Sequence, residues 1–404
     1  MRNESEINDM YKFFEKEETE SLFNLISKKR EEMGLSNLQM SKILDIDKST
    51  FDRLLKKIED GDSASIDFFT VLKICNLFGI EIQAISEIYA ASLKPESIGE
   101  LEQARKANYI INQFDLKGLK DAGFIESLTD FKQIEKRIVD FFRLNSIFEF
   151  NAEIGTVLFS RTKSTSHDKM REFWVRSAFY QFEKINNPND YNRATLLAII
   201  PKIRPYTRFE EKGFLTVLQA LFNAGITVIV QSYLSKTQVR GGTFAVKNKP
   251  CIVITDFNKS YATLWFALLH ELYHVLYDFE ELKNWKYHLT GENDIYLLRE
   301  DDADYFACEM LFPKEKLNFI KPIINSPVLV AEYAEKNKIH PSIIYSFYCY
   351  EEKKNNGKDF YGLYQKYFGK PDKTLKIVRT HPWDKESIYQ EIEVMKQRLV
   401  AQNT

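Results

Sequence analysis

The apolar positions of residues 21–90 recur at helical intervals and predict four short helices separated by brief turns. Gly34 is placed to end the first of these helices. Ser36 and Asp47 stand where side-chain oxygens can cap a helix N-terminus, so they predict the starts of the second and third helices. The third helix is predicted to end near Gly61, and the fourth is predicted over residues 68–78. This part of the chain is therefore expected to be all helical.

Further along the chain the spacing of the apolar residues changes. Residues 91–180 have helical character, and two helical stretches over 194–223 flank a predicted loop at Pro201 and Pro205. From residue 224 the apolar runs become short and β-branched, which predicts strands followed by longer helices. The predicted strands are 224–231, 242–246 and 251–255, with a turn at 247–250; the predicted helices are 261–278 and 294–311, and the tail over 325–404 is mostly helical.

Composition places the chain among folded globular proteins. Apolar residues make up 44% and charged residues 28%, and Gly (15) and Pro (11) are too scarce for a collagen-like or largely disordered chain. The length of 404 residues exceeds what one hydrophobic core usually serves, so we expect two or three domains. Because Lys and Arg (56) nearly balance Asp and Glu (58), nucleic-acid binding would need a local basic patch.

The cellular compartment is predicted from absences in the sequence. No apolar run approaches the roughly 20 residues of a membrane span, and the acidic residues 1–6 lack the apolar centre of a secretory signal. The four cysteines show no C-x-x-C spacing, which argues against a disulfide framework or a cysteine zinc site. We therefore expect a cytoplasmic protein with no membrane partner. The cysteines are Cys75, Cys251, Cys308 and Cys349.

The segment His270-Glu-Leu-Tyr-His274 lies inside the predicted helix over 261–278. Residues four apart lie one above the other on a helix face, so both imidazoles can reach one metal ion. Glu271 stands beside them, where it can take a proton from a water activated by the metal. Catalytic zinc usually has three protein ligands, so this motif needs one more from elsewhere in the chain.

An acidic cluster at residues 300–304 opens the next predicted helix. Glu300 and Asp304 are again four apart, which predicts Glu300 as the third ligand and Asp304 as a carboxylate that orients a ligating histidine. Two alternatives stay open: the histidines could be ordinary core or surface residues, and an acidic helix start also suits the helix dipole. The neighbouring strand and apolar residues favour the metal site. Zinc, over manganese or iron, is inferred from ligand type and geometry.

Four sequence blocks carry a more specific signal than the five-residue motif. They are Arg240-Gly-Gly-Thr-Phe, Pro250-Cys-Ile-Val-Ile-Thr, Leu264-Trp-Phe-Ala-Leu-Leu-His-Glu-Leu-Tyr-His and Glu300-Asp-Asp-Ala-Asp-Tyr-Phe-Ala-Cys-Glu-Met-Leu-Phe-Pro. In this order, residues 155–350 resemble the ImmA/IrrE metallopeptidases. The resemblance implies a compact zincin-like α+β domain with His270, His274 and Glu300 on zinc and Glu271 as base. Such peptidases usually cut a partner repressor and so switch on stress, mobile-element or phage-related genes.

The chain departs from that family pattern at two positions. Tyr273 stands where relatives often have Gly and could narrow the cleft, and Asp278 stands where they often have a third histidine. Neither is a ligand in this interpretation. His340 and Tyr345 are candidates for stabilising the oxyanion of a tetrahedral intermediate, although a histidine such as His340 is more often a turn or surface residue. The predicted strand over 251–255 could pair an extended substrate by edge addition.

The segment over residues 35–54 has the residue pattern of a helix-turn-helix. Ser41 supplies the small residue where two helices cross, Asp45 stands in the turn, and Ile46 and Phe51 are core residues. In these features the segment resembles the Xre-type helix-turn-helix. The resemblance implies a DNA-binding module whose second helix reads the major groove.

The predicted recognition helix offers Lys48, Ser49, Thr50 and Arg53 for contacts with bases or phosphates. We therefore predict binding of double-stranded DNA through residues 36–57, by a homodimer that sums two weak half-sites. Residues in the helical segment 21–90 nevertheless include nine Lys and Arg against eleven Asp and Glu, and Asp45 replaces the usual Gly. A helix-turn-helix that binds a protein instead of DNA therefore stays open.

The expected architecture is multidomain: an all-α helix-turn-helix domain, a helical linker region, an α+β zincin-like metallopeptidase domain and a helical C-terminal tail. The predicted divisions are an acidic arm at 1–20, the helix-turn-helix domain at 21–90, the connecting region at 91–180, the peptidase domain at 181–325 and the C-terminal region at 326–404. We expect a transcriptional regulator and zinc endopeptidase that cuts a partner protein, a repressor by family resemblance. The alternative is a DNA-binding regulator or antitoxin whose peptidase-like domain senses a signal without proteolysis, in a phage-defence or mobile-element system.

Overall fold

The computed structural model describes residues 22–60, 67–79, 95–151, 166–235, 237, 239–256, 260–285, 287–289 and 299–400. The chain divides into two compact units, residues 1–108 and 109–404. Each unit has a hydrophobic core of its own. None of the helices within the described ranges combines the length and apolar composition that a membrane crossing requires.

The described residues of the first unit form short helices around one small core. These are α1 (Leu22–Glu32), α2 (Asn37–Ile43), α3 (Lys48–Glu59) and α4 (Phe68–Phe78), and α5 (Pro95–Gln113) begins in this unit. The four predicted helices are therefore confirmed; Gly61, near which the third was expected to end, lies outside the described residues. The buried core residues are Ile26, Met40, Leu44, Phe51, Leu54, Leu55, Ile58, Val71, Ile74 and Phe78.

Side chains begin α2 and α3 as the sequence predicts. Ser36 and Gln39 form a capping box at the start of α2, and the Asp47 carboxylate accepts from the Thr50 N–H at 2.9 Å at the start of α3. Between the two helices, Asp45 adopts φ +54°, a left-handed conformation in which Gly is the least strained residue and Asp is tolerated. The buried Ser41 lets the helices approach closely.

The second unit is mostly helical. After α5 come α6 (Leu116–Asp121), α7 (Phe131–Phe142), α8 (Ser166–Ile185), α9 (Arg193–Ile203), α10 (Gly213–Asn223), α11 (Tyr261–Tyr277), α12 (Phe279–Trp285), α13 (Glu300–Leu311), α14 (Lys314–Ile320), α15 (Pro327–Lys336), α16 (Pro341–Asn356), α17 (Tyr361–Tyr364), α18 (Asp372–Val378) and α19 (Tyr389–Val400). Short 3-10 helices cover Ile147–Asn151, Arg204–Arg208, Lys321–Ile323, Gln365–Tyr367 and Pro382–Asp384.

A small mixed sheet crosses this unit. Its strands are β1 (Thr227–Gln231), β2 (Gly241–Val246), β3 (Lys249–Thr255), β4 (Tyr287–Leu289) and β5 (Arg379–Thr380), in the order β4-β2-β3-β1-β5. β1 runs parallel to β3 and β5, whereas β2 is antiparallel to β3 and β4. The edge-addition hypothesis for residues 251–255 is therefore wrong, because β1 and β2 occupy both sides of β3.

The structure refines several predicted boundaries. The turn between β2 and β3 is confined to Lys247 and Asn248, both with positive φ, and Pro250 already lies in β3. The expected loop at the two prolines is helical instead. Pro201 lies in the last turn of α9, and Pro205 takes an early position in a 3-10 helix, where its missing N–H breaks no helical hydrogen bond.

One continuous core joins the whole second unit. It takes buried residues from the segments 109–180, 181–325 and 326–404, which therefore share their apolar interior. The predicted domain boundaries at 90, 180 and 325 divide the chain more finely than the two units do, and they stay predictions. Helix α11 packs on β2 and β3 and also contacts α13 and α16, so it lies at the centre of this core.

Candidate metal centre

Helix α11 carries both motif histidines into the interior of the second unit. Most of its positions are buried, because sheet strands and other helices cover several of its faces. His270, Glu271 and His274 are only 1%, 1% and 0% exposed. Burying polar or charged groups costs free energy unless they are paired. The partners of these three side chains therefore define what the site can do.

His270, His274 and Glu300 converge in the geometry of a metal site. The two Nε2 atoms lie 3.3 Å apart, and Glu300 oxygens lie 3.5 Å from Nε2 of His270 and 3.3 Å from Nε2 of His274. Ligand atoms about 2.0–2.1 Å from one tetrahedral ion are separated by roughly 3.3–3.4 Å. The two nitrogens and the Glu300 carboxylate, which turns one oxygen toward each nitrogen, have spacings close to this value. This group could hold a metal ion, with a fourth corner left for another ligand.

Two carboxylates hold the far sides of the imidazole rings. Asp304 on α13 lies 2.9 Å from Nδ1 of His270, and Asp278 at the end of α11 lies 2.7 Å from Nδ1 of His274. With Nδ1–H donated to a carboxylate, each ring directs the lone pair of its Nε2 toward the other ring and Glu300. The predicted orienting role of Asp304 thus has the required geometry, and Asp278 fills the same role for the second ring.

Arg299 completes the support of Asp278. Its Nη1 lies 2.9 Å from the second oxygen of that fully buried carboxylate, while His274 contacts the first. Arg299 immediately precedes Glu300 at the start of α13. The same ion pair therefore compensates the buried charge and ties the end of α11 to the helix that carries the third ligand.

The electrostatics of the centre favour positive charge between the rings. Burial lowers the pKa of His270, but hydrogen bonds to Asp304 and Glu300 and the charge of Glu271 outweigh it and raise the pKa to about 10. Burial likewise opposes charge on His274, yet Asp278 and Glu300 raise its pKa to about 9. Both shifts have the same cause: several carboxylates surround two buried imidazoles and favour their protonated forms.

Glu271 lies beside the metal-binding group, as we call the three side chains that could hold an ion (His270, His274 and Glu300), but its carboxylate contacts the sheet. The Thr243 hydroxyl on β2 donates to Glu271 Oε2 at 2.7 Å and fixes the carboxylate. Gly241 on the same strand makes this approach possible, because a Cβ there would lie 2.6 Å from Glu271 Oε1. The candidate base is therefore buried and held by a strand that is itself paired on both sides.

The candidates for the oxyanion role lie elsewhere. His340 caps α16 through Ser342, and its ring packs 4.9 Å from that of Tyr261, with Glu210 3.3 Å from Nε2. Tyr261 begins α11 nine residues before His270, a rise of about 13 Å along the helix. Tyr345 is buried in a stack of tyrosine rings. The structure thus gives the predicted catalytic role of His340 no support, because its ring is used for capping and packing.

The remaining predicted residues are placed as follows. Tyr273 packs against Tyr277 and Phe306, with ring centroids 4.7 and 5.7 Å away. In the first unit, Lys48, Ser49 and Arg53 are exposed on α3 and Thr50 is partly exposed. The candidate DNA contacts therefore share one helix. Their hydroxyls are engaged locally, since Ser49 and Thr50 both donate to the capping carboxylate of Asp47.

Three supporting residues were missed by the sequence interpretation: Asp278, Arg299 and Thr243. Asp278 had a usable signal, because it follows His274 by four residues on the same helix face. Arg299 and Thr243 had none, since their roles depend on the approach of other elements. No protein-family model, curated protein or solved structure matches this chain.

Proposed function

We propose that the second unit is a zinc-dependent peptidase that cuts a partner protein. The observation that carries this proposal is the convergence of His270, His274 and Glu300 with buried Glu271 beside them. Two imidazoles and one carboxylate form the ligand set of well-known zinc hydrolases, in which a fourth position stays open to water or substrate. The 3.3–3.5 Å spacing of the ligand atoms fits that ion.

Bound zinc would supply a Lewis acid that polarises a peptide carbonyl and a water molecule. The chain itself supplies the proton transfers. The Glu271 carboxylate takes a proton from the attacking water and returns it to the leaving amine. Thr243 holds that carboxylate in position, and burial beside the sheet keeps bulk water from competing. Asp278 and Asp304 keep the imidazoles oriented throughout.

We further propose that the first unit binds double-stranded DNA and that the substrate is a repressor. The support is the exposure of Lys48, Ser49 and Arg53 along α3, together with the predicted helix-turn-helix pattern. Phosphate contacts from such residues make binding strongly dependent on salt. A protein-binding role for the same helices would instead give no retention of duplex DNA at any salt concentration.

The proposal is tested by pairing metal analysis with a cleavage assay. Elemental mass spectrometry should find about one zinc per chain in the wild type and in Glu271→Gln, and none in His274→Ala. Proteins encoded beside the gene, repressors first, serve as substrates, and new N-termini are read by mass spectrometry. Glu271→Gln should lower the cleavage rate by roughly 10²–10⁴-fold while the metal stays bound.

Two results would contradict the proposal in different places. Cleavage retained by Glu271→Gln would show that Glu271 is not the general base and would not contradict the metal site. Absence of metal from wild-type protein, even after zinc is added, would contradict the proposed zinc-dependent peptidase function. Normal gene regulation by Glu271→Gln would favour the alternative, in which the second unit senses a signal without proteolysis.

A further inference from the structure

A cleft of about 540 Å³ opens beside the metal centre. Asp304, which supports His270, and Phe266, whose ring centroid lies 6.1 Å from that of His270, both belong to its lining. Arg240 lines it as well and immediately precedes Gly241, the residue that contacts Glu271. The cleft is therefore bounded by direct neighbours of a proposed metal ligand and of the proposed base. The proposed ligands and Glu271 are not among its lining residues, so the cleft adjoins the proposed metal site without containing it.

Five of the fourteen residues that line this cleft are aromatic. Its volume lies within the usual range of ligand pockets, about 300–1,000 Å³, and is enough for a large side chain and part of its neighbour. Hydroxyl and amide groups from Ser260, Thr263, Ser346 and Gln365 supply polar contacts between the rings. Such a surface favours a bulky apolar or aromatic side chain over a small or charged one. The lining rings are Phe266, Phe347, Tyr350, Tyr361 and Phe368.

Of the two charged side chains in the cleft, only the positive one is available to bind a ligand. The charged residues in the lining are Arg240 and Asp304. Asp304 is engaged, with one oxygen 2.9 Å from His270 Nδ1 and the other 3.5 Å from the Tyr350 hydroxyl. Arg240 is exposed, and within the described ranges no carboxylate forms an ion pair with it. An arginine in this position can bind a carboxylate with two parallel hydrogen bonds.

We propose that this cleft is the substrate-selecting pocket of the second unit, taking a bulky apolar side chain next to the cut bond while Arg240 binds an acidic residue beside it. This inference rests on the proposed peptidase function, because only a peptidase would place the cleft next to a bond that is cut. The substrate class is then a protein segment that places a large apolar residue and an aspartate or glutamate within a few residues of the cleavage site.

The test uses the full chain loaded with zinc and four synthetic peptides that share one sequence. The peptides vary the bulky residue (Phe or Ala) and its neighbour (Asp or Lys). Binding is measured by fluorescence anisotropy on Glu271→Gln protein, so that binding is read without turnover, and cleavage is measured on the wild type by mass spectrometry. The Phe-Asp peptide should bind roughly three- to tenfold more tightly than Phe-Lys and Ala-Asp.

Variants separate a selecting role from a merely structural one. Arg240→Glu should reverse the preference, so that Phe-Lys binds more tightly than Phe-Asp; loss of fold alone would weaken both equally. Ser346→Phe fills the cleft and should remove the advantage of Phe over Ala. Lys366→Ala is the matched control, because it removes an exposed cation next to Gln365 that is not part of the lining. It should leave both preferences as they are.

The outcomes distinguish failure of the pocket from failure of the peptidase. Preferential binding of Phe-Asp without cleavage by the wild type would support the pocket and count against the peptidase. Cleavage or binding of all four peptides at equal rates would overturn the pocket and leave the peptidase standing. An unchanged charge preference in Arg240→Glu would likewise overturn the assignment of Arg240. Binding of none of the four peptides would overturn the pocket.

Discussion

Single carboxylates decide how the two histidines of the centre are used. Asp278 and Asp304 each hold one imidazole by its Nδ1 and leave both Nε2 atoms facing Glu300. Neither carboxylate belongs to the metal-binding group itself. In the proposed metal site their contribution would be the orientation and basicity of the ligands, which partners of this kind usually supply to histidines on a metal.

Removing the charge of either carboxylate should weaken metal binding. We expect Asp278→Asn and Asp304→Asn each to lower zinc affinity by about 10–100-fold, because the rings lose the partner that fixes their tautomer and direction. Competition with a calibrated chelator measures the affinity. Asp302→Asn is the matched control, since this exposed acid lies on the same helix and should have no effect. Equal losses in all three variants would point to a general charge effect.

Metal binding should depend on pH through the same histidines. In the metal-free protein the pKa of His270 is raised to about 10 and that of His274 to about 9, so zinc must displace protons at neutral pH. Apparent affinity should therefore rise with pH up to about 10, by about tenfold per unit for each proton displaced. Calorimetry in buffers of different ionisation enthalpy counts these protons. An affinity independent of pH would contradict the arrangement.

The raised pKa values also fix the sign of a stability effect in the metal-free protein. A group whose folded pKa exceeds its unfolded value stabilises the fold below the unfolded value, about 6.5 for histidine, and this contribution is lost as pH rises through the folded value. The metal-free protein should therefore lose stability between about pH 7 and 10. Denaturant unfolding at several pH values checks the direction. With zinc bound, the same interval should be flatter.

At the scale of elements, the approach of β2 to α11 sets the position of the base. Gly241 leaves room for the Glu271 carboxylate, and Thr243, two residues along the same face of the strand, holds it. We expect Gly241→Ala to reduce cleavage severely while zinc stays bound, because the new methyl group displaces Glu271 and none of the ligands. Parallel metal analysis and cleavage assays measure the two effects.

Gly99→Ala is the control for that substitution. Gly99 lies in helix α5, and nothing stands within 4 Å of the Cβ that alanine would add there. Alanine has the higher helix propensity, so this variant should keep full activity and equal or greater stability. Loss of zinc from Gly241→Ala would show that the strand also positions the ligands, which contradicts the expected separation of the two roles.

Local signals made the helical elements predictable, whereas pairing between distant segments was not. Ser36 and Asp47 indicate where their helices begin, because their own side chains cap the helix N-termini. β5 has two residues and exists only because it pairs with β1, about 150 positions earlier, so no local pattern indicates it. The central position of β3 also depends on such pairing, which is why a free edge was wrongly expected there.

The residues of the candidate site likewise divide into those indicated by local sequence patterns and those whose roles depend on contacts between distant segments. His270, His274, Glu300 and Asp304 are predictable because each pair repeats the four-residue spacing of one helix. The Thr243–Glu271 contact requires the register of β2 against α11, which no single segment encodes. His340 shows the opposite difficulty: a histidine before proline is also a helix cap, and in the structure it caps α16 and packs on Tyr261, so its catalytic role stays a prediction.

At the scale of the whole molecule, the two separate cores imply two responses to metal. The first unit buries its own cluster of apolar residues, and the metal-binding group lies entirely within the second. A ligand that binds only the folded form stabilises it in proportion to its excess over the dissociation constant. Zinc should therefore stabilise the unfolding transition of the second unit and leave that of the first unchanged.

Differential scanning calorimetry of the full chain measures this difference. At zinc concentrations about 100 times the dissociation constant, the second unit should gain about 2.7 kcal/mol, seen as a rise in one transition temperature, and chelation should reverse it. In His274→Ala zinc should change neither transition temperature, because one of the three proposed ligands is missing. If zinc moved both transitions together in the wild type, the units would unfold as one cooperative body. If it moved neither, the convergence of the two histidines and Glu300 would have to be explained by their carboxylate partners alone.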